Sequence, residues 1–134
     1  MNLVEWHESL QKPSKRHKFN AKKTKIGGEA FPSQLEASVW SLLKMAQKTG
    51  EIRGLKRYST VHLTDAKISW KVDFEFYSAI TGEKIWAEAK GAEQPDFRIK
   101  LKLWRVYGPG ELQIWKGTAA KPILVETVIP KGTK

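Results

Sequence analysis

The sequence predicts an α/β fold in which a mixed β-sheet is flanked by helices. Three features of the 134-residue chain indicate this fold. Apolar residues recur at helical spacing after Ser33, they alternate with polar residues over 68–76, and a second helical pattern follows Gly91. The order helix, three strands, helix and strand predicts three antiparallel strands and then a crossover to a further strand.

Composition limits the class of protein. A chain of this size forms one domain, and 6 Trp supply apolar material for a core. Cysteine is absent and the 3 His are far apart, so we expect neither disulfides nor a zinc site. Because no apolar run approaches the roughly 20 residues of a membrane span and no signal-peptide segment is evident, we expect a cytoplasmic protein.

The charge of the chain indicates a polyanionic partner. The formal net charge is +10 and the pI is about 9.8, which favours nucleic acid over a merely solubilising surface or acidic lipid. Between Lys12 and Lys25 there is no acidic residue, so 1–26 is predicted to be a flexible basic arm and 27–134 a single domain. The arm either is a solvated tail or binds DNA phosphates through Lys15, Arg16, Lys18, Lys22, Lys23 and Lys25.

The first helix is predicted from Gln34 to Thr49. Ser33 is a suitable N-cap and Gly50 a suitable stop. Glu36 lies on the apolar flank of this helix, where a carboxylate needs a partner. Two interpretations remain open: the carboxylate points across the sheet to acidic residues on the strands, or it completes a capping box with Ser33.

Three antiparallel strands should follow, over Leu55–Leu63, Ile68–Phe76 and Lys84–Gly91. The middle strand alternates strictly, which places Asp73 on its polar face. On the third strand Glu88 and Lys90 share one face, roughly 7 Å apart along the backbone. Adjacent carboxylates suit a hard ion such as Mg²⁺, and a nearby lysine can orient or deprotonate water. The alternative is a solvated pair on a surface hairpin.

The segment Asp96–Tyr107 fits both a strand and a helix. Its length and the Gly108-Pro109-Gly110 stop favour the helix, with a basic face that could contact DNA, formed by Arg98, Lys102 and Arg105. Two further strands are predicted, over Leu112–Trp115 and Ile123–Val128.

Together these motifs resemble the PD-(D/E)xK nuclease superfamily, and best its small phage and archaeal branch, which includes Holliday-junction resolvases. The resemblance rests on Val72-Asp73, Glu88-Ala89-Lys90 and the helix residue Glu36, and it spans 33–107. Val72 stands where the motif's name has proline.

The resemblance implies a restriction-endonuclease-like core and a DNA endonuclease that uses Mg²⁺ or Mn²⁺. Asp73, Glu88 and the Ala89 carbonyl would be metal ligands, Lys90 would position or activate water, and Glu36 would be a third catalytic carboxylate. The expected substrate is a four-way junction or other branched DNA, cut by a homodimer in a bacterial or phage-infected cell. The alternatives are a nuclease on linear duplex or single-stranded DNA in phage DNA processing, and a non-catalytic DNA-binding domain.

Overall fold

The computed structural model describes residues 24–26, 28–91 and 94–131 and has an α/β architecture. A five-stranded mixed sheet carries helices α1 (Gln34–Lys48) and α2 (Pro95–Tyr107). The strands, in chain order, are β1 (Thr24–Ile26), β2 (Glu29–Phe31), β3 (Ile52–His62), β4 (Ser69–Ser78), β5 (Lys84–Ala89), β6 (Glu111–Gly117) and β7 (Pro122–Val128). No helix in the described ranges is long and apolar enough to cross a membrane.

The sheet has the spatial order β3-β4-β5-β6-β7. Strands β3, β4 and β5 are antiparallel neighbours, and β6 is parallel to β5, with α2 in the connection between them. The predicted succession of three antiparallel strands and a crossover strand is therefore confirmed. β7 closes the far edge antiparallel to β6.

Both predicted helices are present. α1 ends at Lys48, one residue before the predicted Thr49, and Ser33 Oγ caps it by accepting from the Glu36 N–H at 3.0 Å. α2 resolves the ambiguous segment as a helix because Phe97, Leu101 and Trp104, spaced four and three residues apart, are all buried.

The sheet separates two apolar clusters. One joins α1 to the sheet through Val39, Trp40, Phe74, Phe76 and Ala87, among others. The other joins α2 to the sheet through Trp70, Val72, Trp86, Leu101 and Trp104, among others. Every second residue of β4 is buried from Trp70 to Phe76. Trp70 and Val72 belong to the α2 cluster, whereas Phe74 and Phe76 belong to the α1 cluster. The change from one cluster to the other therefore falls at Asp73.

The neighbouring strand β3 is distorted at the same level. Tyr58 has φ 61°, and the β3–β4 pairs on either side of it are Arg57 with Phe74 and Ser59 with Val72. A left-handed backbone at a non-glycine residue costs roughly 1–2 kcal/mol. β3 also begins at Ile52, within a segment expected to be a connection, and its register shifts between Arg53 and Lys56.

The chain before α1 differs from the prediction. Thr24–Ile26, expected to end the basic arm, pairs antiparallel with Glu29–Phe31. Phe31 is 1% exposed and its ring centroid lies 6.0 Å from that of Trp40. Lys25 is exposed. The other predicted phosphate-binding residues of the arm, which are Lys15, Arg16, Lys18, Lys22 and Lys23, lie outside the described residues.

Candidate active site

Three carboxylates from three different elements lie near one another at the level of Asp73, where β4 passes from one apolar cluster to the other. Glu36 comes from α1, Asp73 from β4 and Glu88 from β5. Glu36 is 4% and Glu88 8% exposed, and Asp73 is half-buried. Besides burial, the nearby charge of Asp73 raises the pKa of Glu36, so these two carboxyl groups are close together. The fold thus brings together the three acidic residues predicted from the sequence.

Strands β4 and β5 part at this point. Their last paired residues are Phe74 and Ala87, beyond which β5 continues beside β6 only. The two carboxylates bridge the gap: the Ala89 N–H donates to Asp73 Oδ2 at 2.9 Å, and the Asp73 N–H donates to Glu88 Oε1 at 3.2 Å. Each carboxylate is therefore positioned by the backbone of the opposite strand.

The Ala89 carbonyl belongs to the same arrangement. In an extended strand the N–H and C=O of one residue face the same neighbouring strand. The Ala89 N–H faces Asp73, whereas the Lys90 N–H donates to the Trp115 carbonyl on β6 at 2.7 Å. It follows that the Ala89 carbonyl is on the β4 side, with the carboxylates.

Lys90 lies beside this cluster. Its ammonium is 4.8 Å from the centroid of the Phe97 ring, in the first turn of α2. Its positive charge acts on both Asp73 and Glu88 and lowers the pKa of each. Lys90 is therefore close enough to the two carboxylates to influence a group bound between them.

The three carboxyl groups oppose one another's ionisation. Burial, as the main cause, raises the pKa of Glu36 to about 7, and the nearby charge of Asp73 adds to the effect. Burial and the charge of Glu88 raise the pKa of Asp73 to about 7, and burial raises that of Glu88 to about 7. The positive charges of Arg57 and Lys90 offset only part of this rise in pKa. The site therefore has an excess of negative charge when all three carboxyl groups ionise.

The position of Glu36 bears on the two open interpretations. Its backbone N–H is bonded to the Ser33 hydroxyl, as in a helix cap. Its carboxylate is directed elsewhere: Oε2 is 3.4 Å from Arg57 Nη2, and the group faces Asp73. Glu36 thus contributes its backbone to the cap and its side chain to the carboxylate cluster.

Arg57 and Tyr58, which lie beside the carboxylates, were not among the site residues predicted from the sequence. The Arg57 guanidinium lies 3.9 Å from the Phe31 ring centroid and its side chain is only 14% exposed. It donates to the Tyr58 hydroxyl at 2.8 Å as well as to Glu36. The sequence gives no signal for Arg57 because it occurs among other basic residues on β3. Its contacts with Phe31 and Glu36 join segments that are distant in the chain.

The cluster offers the kind of oxygen donor that a hard divalent cation binds. Carboxylate and carbonyl oxygens are the ligands that Mg²⁺ and Mn²⁺ prefer, and an excess of buried negative charge favours such an ion. Within residues 24–26, 28–91 and 94–131, no three acidic, histidine or cysteine side chains are already arranged around one point. One oxygen of each strand carboxylate is instead bonded to a backbone N–H. Binding an ion would therefore require these side chains to reorient.

The basic face predicted on α2 is present only in part. Arg98 and Lys102 are exposed. Arg105 is also exposed, but its Nη2 lies 2.7 Å from Glu126 Oε2 on β7, so much of its charge is already neutralised. The contact between Lys90 and Phe97 places the N-terminal end of α2, and hence Arg98, nearest to the carboxylates.

The raised pKa values predict that the metal-free protein loses stability as pH rises. Between about pH 4 and pH 7 the folded chain holds protons on these carboxyl groups that the unfolded chain has released, so the free energy of unfolding falls across this window. We expect Tm in EDTA to be several degrees lower at pH 8 than at pH 5. Adding Mn²⁺ should raise Tm more at pH 8 than at pH 5, because the carboxyl groups are ionised at pH 8.

Asp73→Asn removes one of the interacting charges and should flatten the dependence of Tm on pH in EDTA. Glu75→Gln is the matched control, because Glu75 is two residues further along β4 and pairs with Lys84 instead. Equal pH slopes for the wild type and Asp73→Asn would contradict the electrostatic coupling described above.

Comparison of the chain with protein-family models, with curated proteins and with solved structures finds no match in any of the three.

Proposed function

We propose that the protein is a metal-dependent endodeoxyribonuclease with a restriction-endonuclease-like core, of the PD-(D/E)xK type. The observation that carries the proposal is the convergence of Glu36, Asp73 and Glu88 from α1, β4 and β5, with Lys90 beside them. Buried acidic residues whose pKa values are raised by one another are typical of functional sites. A solvated surface pair, the alternative reading of Glu88 and Lys90, does not explain why Glu88 is 8% exposed.

Asp73, Glu88 and the Ala89 carbonyl would hold Mg²⁺ or Mn²⁺, with Glu36 as a further ligand directly or through water. When bound, the ion lowers the pKa of a water molecule and stabilises negative charge on the phosphate.

The remaining roles belong to side chains of the chain itself. Lys90 would orient the attacking water, accept its proton, or stabilise charge that develops on the phosphate. Arg57 lowers the pKa of Glu36, so it helps to keep that carboxylate ionised. Both cations lie next to the carboxylates, where a phosphodiester would otherwise be repelled.

The charge of the protein supports DNA as the substrate. The net charge of +10 attracts a polyanion, and Arg98 and Lys102 extend a basic surface from the N-terminal end of α2. The basic segment 12–25 would add phosphate contacts that carry no sequence preference.

Branched DNA is the substrate class we favour. Near the carboxylates the described fold offers the first turns of α1 and α2 and a few strand residues, which is little surface for reading base edges. Recognition of DNA shape is therefore the simpler solution. Cutting a four-way junction symmetrically requires two active sites, and we therefore propose a homodimer.

The test compares a labelled four-way junction with linear duplex and single-stranded DNA of matched sequence, each with Mg²⁺, Mn²⁺ or EDTA. We expect paired, metal-dependent nicks on the junction alone. Cutting of all three DNAs would support nuclease activity but contradict selectivity for DNA shape. That result would favour the alternative, a nuclease that processes linear DNA. Tight binding without cutting under any metal would identify a non-catalytic DNA-binding domain.

A further inference from the structure

Tyr58 has an unfavourable backbone conformation that packing does not explain. Its φ of 61° lies in the left-handed region, where a bulky side chain is an outlier and glycine is not. The side chain is not used to fill the core, since Tyr58 is 42% exposed. Strained residues of this kind persist mostly at functional sites.

The strain has a specific geometric consequence. Consecutive side chains of a regular strand point to opposite faces of the sheet. Arg57 and Tyr58 instead meet: the guanidinium carbon is 4.7 Å from the tyrosine ring centroid, and Nη2 is 2.8 Å from the hydroxyl. The left-handed turn at Tyr58 therefore places its ring beside Arg57, at the edge of the carboxylate cluster.

A second cation lies on the same ring. Lys71 Nζ is 4.4 Å from the Tyr58 ring centroid. Lys71 precedes Asp73 by two residues on β4. Burial, together with the nearby charges of Glu36 and Asp73, raises the pKa of the Tyr58 hydroxyl, so the ring is also close to these carboxylates. Lys71 forms no ion pair within 4 Å with any carboxylate of the described residues. An exposed aromatic ring with a lysine on it therefore lies next to the proposed scissile position.

We propose that Tyr58 contacts the substrate directly, by stacking on an unpaired nucleotide next to the scissile phosphate while Lys71 binds a phosphate of that nucleotide. The inference rests on the proposed nuclease function and specifies its substrate class. The long stem of Lys71 lets its ammonium exchange the ring for a phosphate, which uncovers the ring face.

The stacking requirement selects among DNA structures. A base within a continuous duplex is already stacked on its neighbours, whereas unpaired bases present an open face to an aromatic side chain. The site would thus prefer branched DNA with an unpaired nucleotide at the cut, such as a flap or a frayed branch point, over uninterrupted duplex. Single-stranded DNA serves below as a binding probe for the stacking contact.

The first measurement is the binding of labelled single-stranded and duplex DNA in EDTA, by fluorescence anisotropy, for Tyr58→Ala, Tyr58→Phe and Tyr58→Gly. We expect Tyr58→Ala and Tyr58→Gly to weaken single-strand binding about tenfold and duplex binding less than twofold. Tyr58→Phe should bind as the wild type does, because the ring is retained. Tyr107→Ala, which removes another exposed tyrosine, is the matched control.

Thermal unfolding separates this role from a structural one. Glycine adopts φ 61° without strain, so Tyr58→Gly should be no less stable than Tyr58→Ala while both lose single-strand binding. Lys71→Gln should weaken binding more than Lys44→Gln, in which the lost lysine lies 5.5 Å from the Trp40 ring instead.

Equal losses on duplex and single-stranded DNA would overturn the stacking contact, as would a loss in Tyr58→Phe equal to that in Tyr58→Ala. Because binding is measured without a metal, its outcome is independent of catalysis. Wild-type cleavage with unchanged binding in all Tyr58 variants would refute this inference alone. Ring-dependent binding without any cleavage would refute the proposed nuclease and retain the nucleotide contact.

Discussion

Asp73→Asn is expected to abolish metal-dependent cleavage while DNA binding stays intact or becomes tighter. The substitution removes a ligand charge at the centre of the carboxylate cluster and reduces repulsion of the phosphate. Because a bound metal stabilises the transition state by several kcal/mol, the cleavage rate should fall by at least about a hundredfold. The measurement is single-turnover cleavage of a labelled junction with saturating protein, beside binding of the same DNA in EDTA.

The fold should survive this change. An asparagine side-chain oxygen can still accept the Ala89 N–H that Asp73 Oδ2 accepts at 2.9 Å, so the gap between β4 and β5 stays bridged. Glu75→Gln is the control on the same strand, and it should cut at close to the wild-type rate because its carboxylate pairs with Lys84. If Asp73→Asn cuts as fast as the wild type, the site is in the wrong place.

Local patterns predicted much of the arrangement that holds these residues. The alternation along β4 keeps Asp73 out of the buried apolar positions, and the helical spacing after Ser33 puts Glu36 on the buried flank of α1. The length of the segment 96–107 and the glycines after it favour a helix, and the structure has a helix there. These features could be predicted because the spacing of apolar residues within one segment is enough to identify a helix or a strand.

The residues that sequence reasoning missed depend on non-local geometry. Nothing in the segment 52–62 signals that Tyr58 is left-handed, since neither glycine nor asparagine occupies the position. Without that distortion, Arg57 and Tyr58 would be assigned to opposite faces of the strand, and their contact would not be expected. The bonding of Arg105 to Glu126 is similarly invisible, because it joins α2 to a strand 21 residues away in sequence.

Arg57 has the largest expected effect on stability. Its guanidinium is the cation nearest to the buried Glu36 carboxylate, and removing one partner of a buried ion pair leaves the other charge uncompensated. We expect Arg57→Met to lower the free energy of unfolding by about 3 kcal/mol at pH 8. The loss should be smaller at pH 5, where Glu36, with a pKa raised to about 7, is protonated and needs no partner. Chemical denaturation at the two pH values measures the difference.

Arg53→Met is the control for Arg57→Met, since Arg53 lies on the same strand and against an aromatic ring, 5.7 Å from the Tyr77 centroid, but next to no carboxylate of the cluster. The double variant Arg57→Met/Glu36→Gln removes both charges and should regain most of the lost stability, because a buried ion pair replaced on both sides is often neutral. It should not regain cleavage, because Glu36 is proposed as the third catalytic carboxylate. A double variant as unstable as Arg57→Met would show that Arg57 stabilises the fold through its stacking on Phe31 and not through its charge. A double variant that cuts DNA at the wild-type rate would remove Glu36 from the active site.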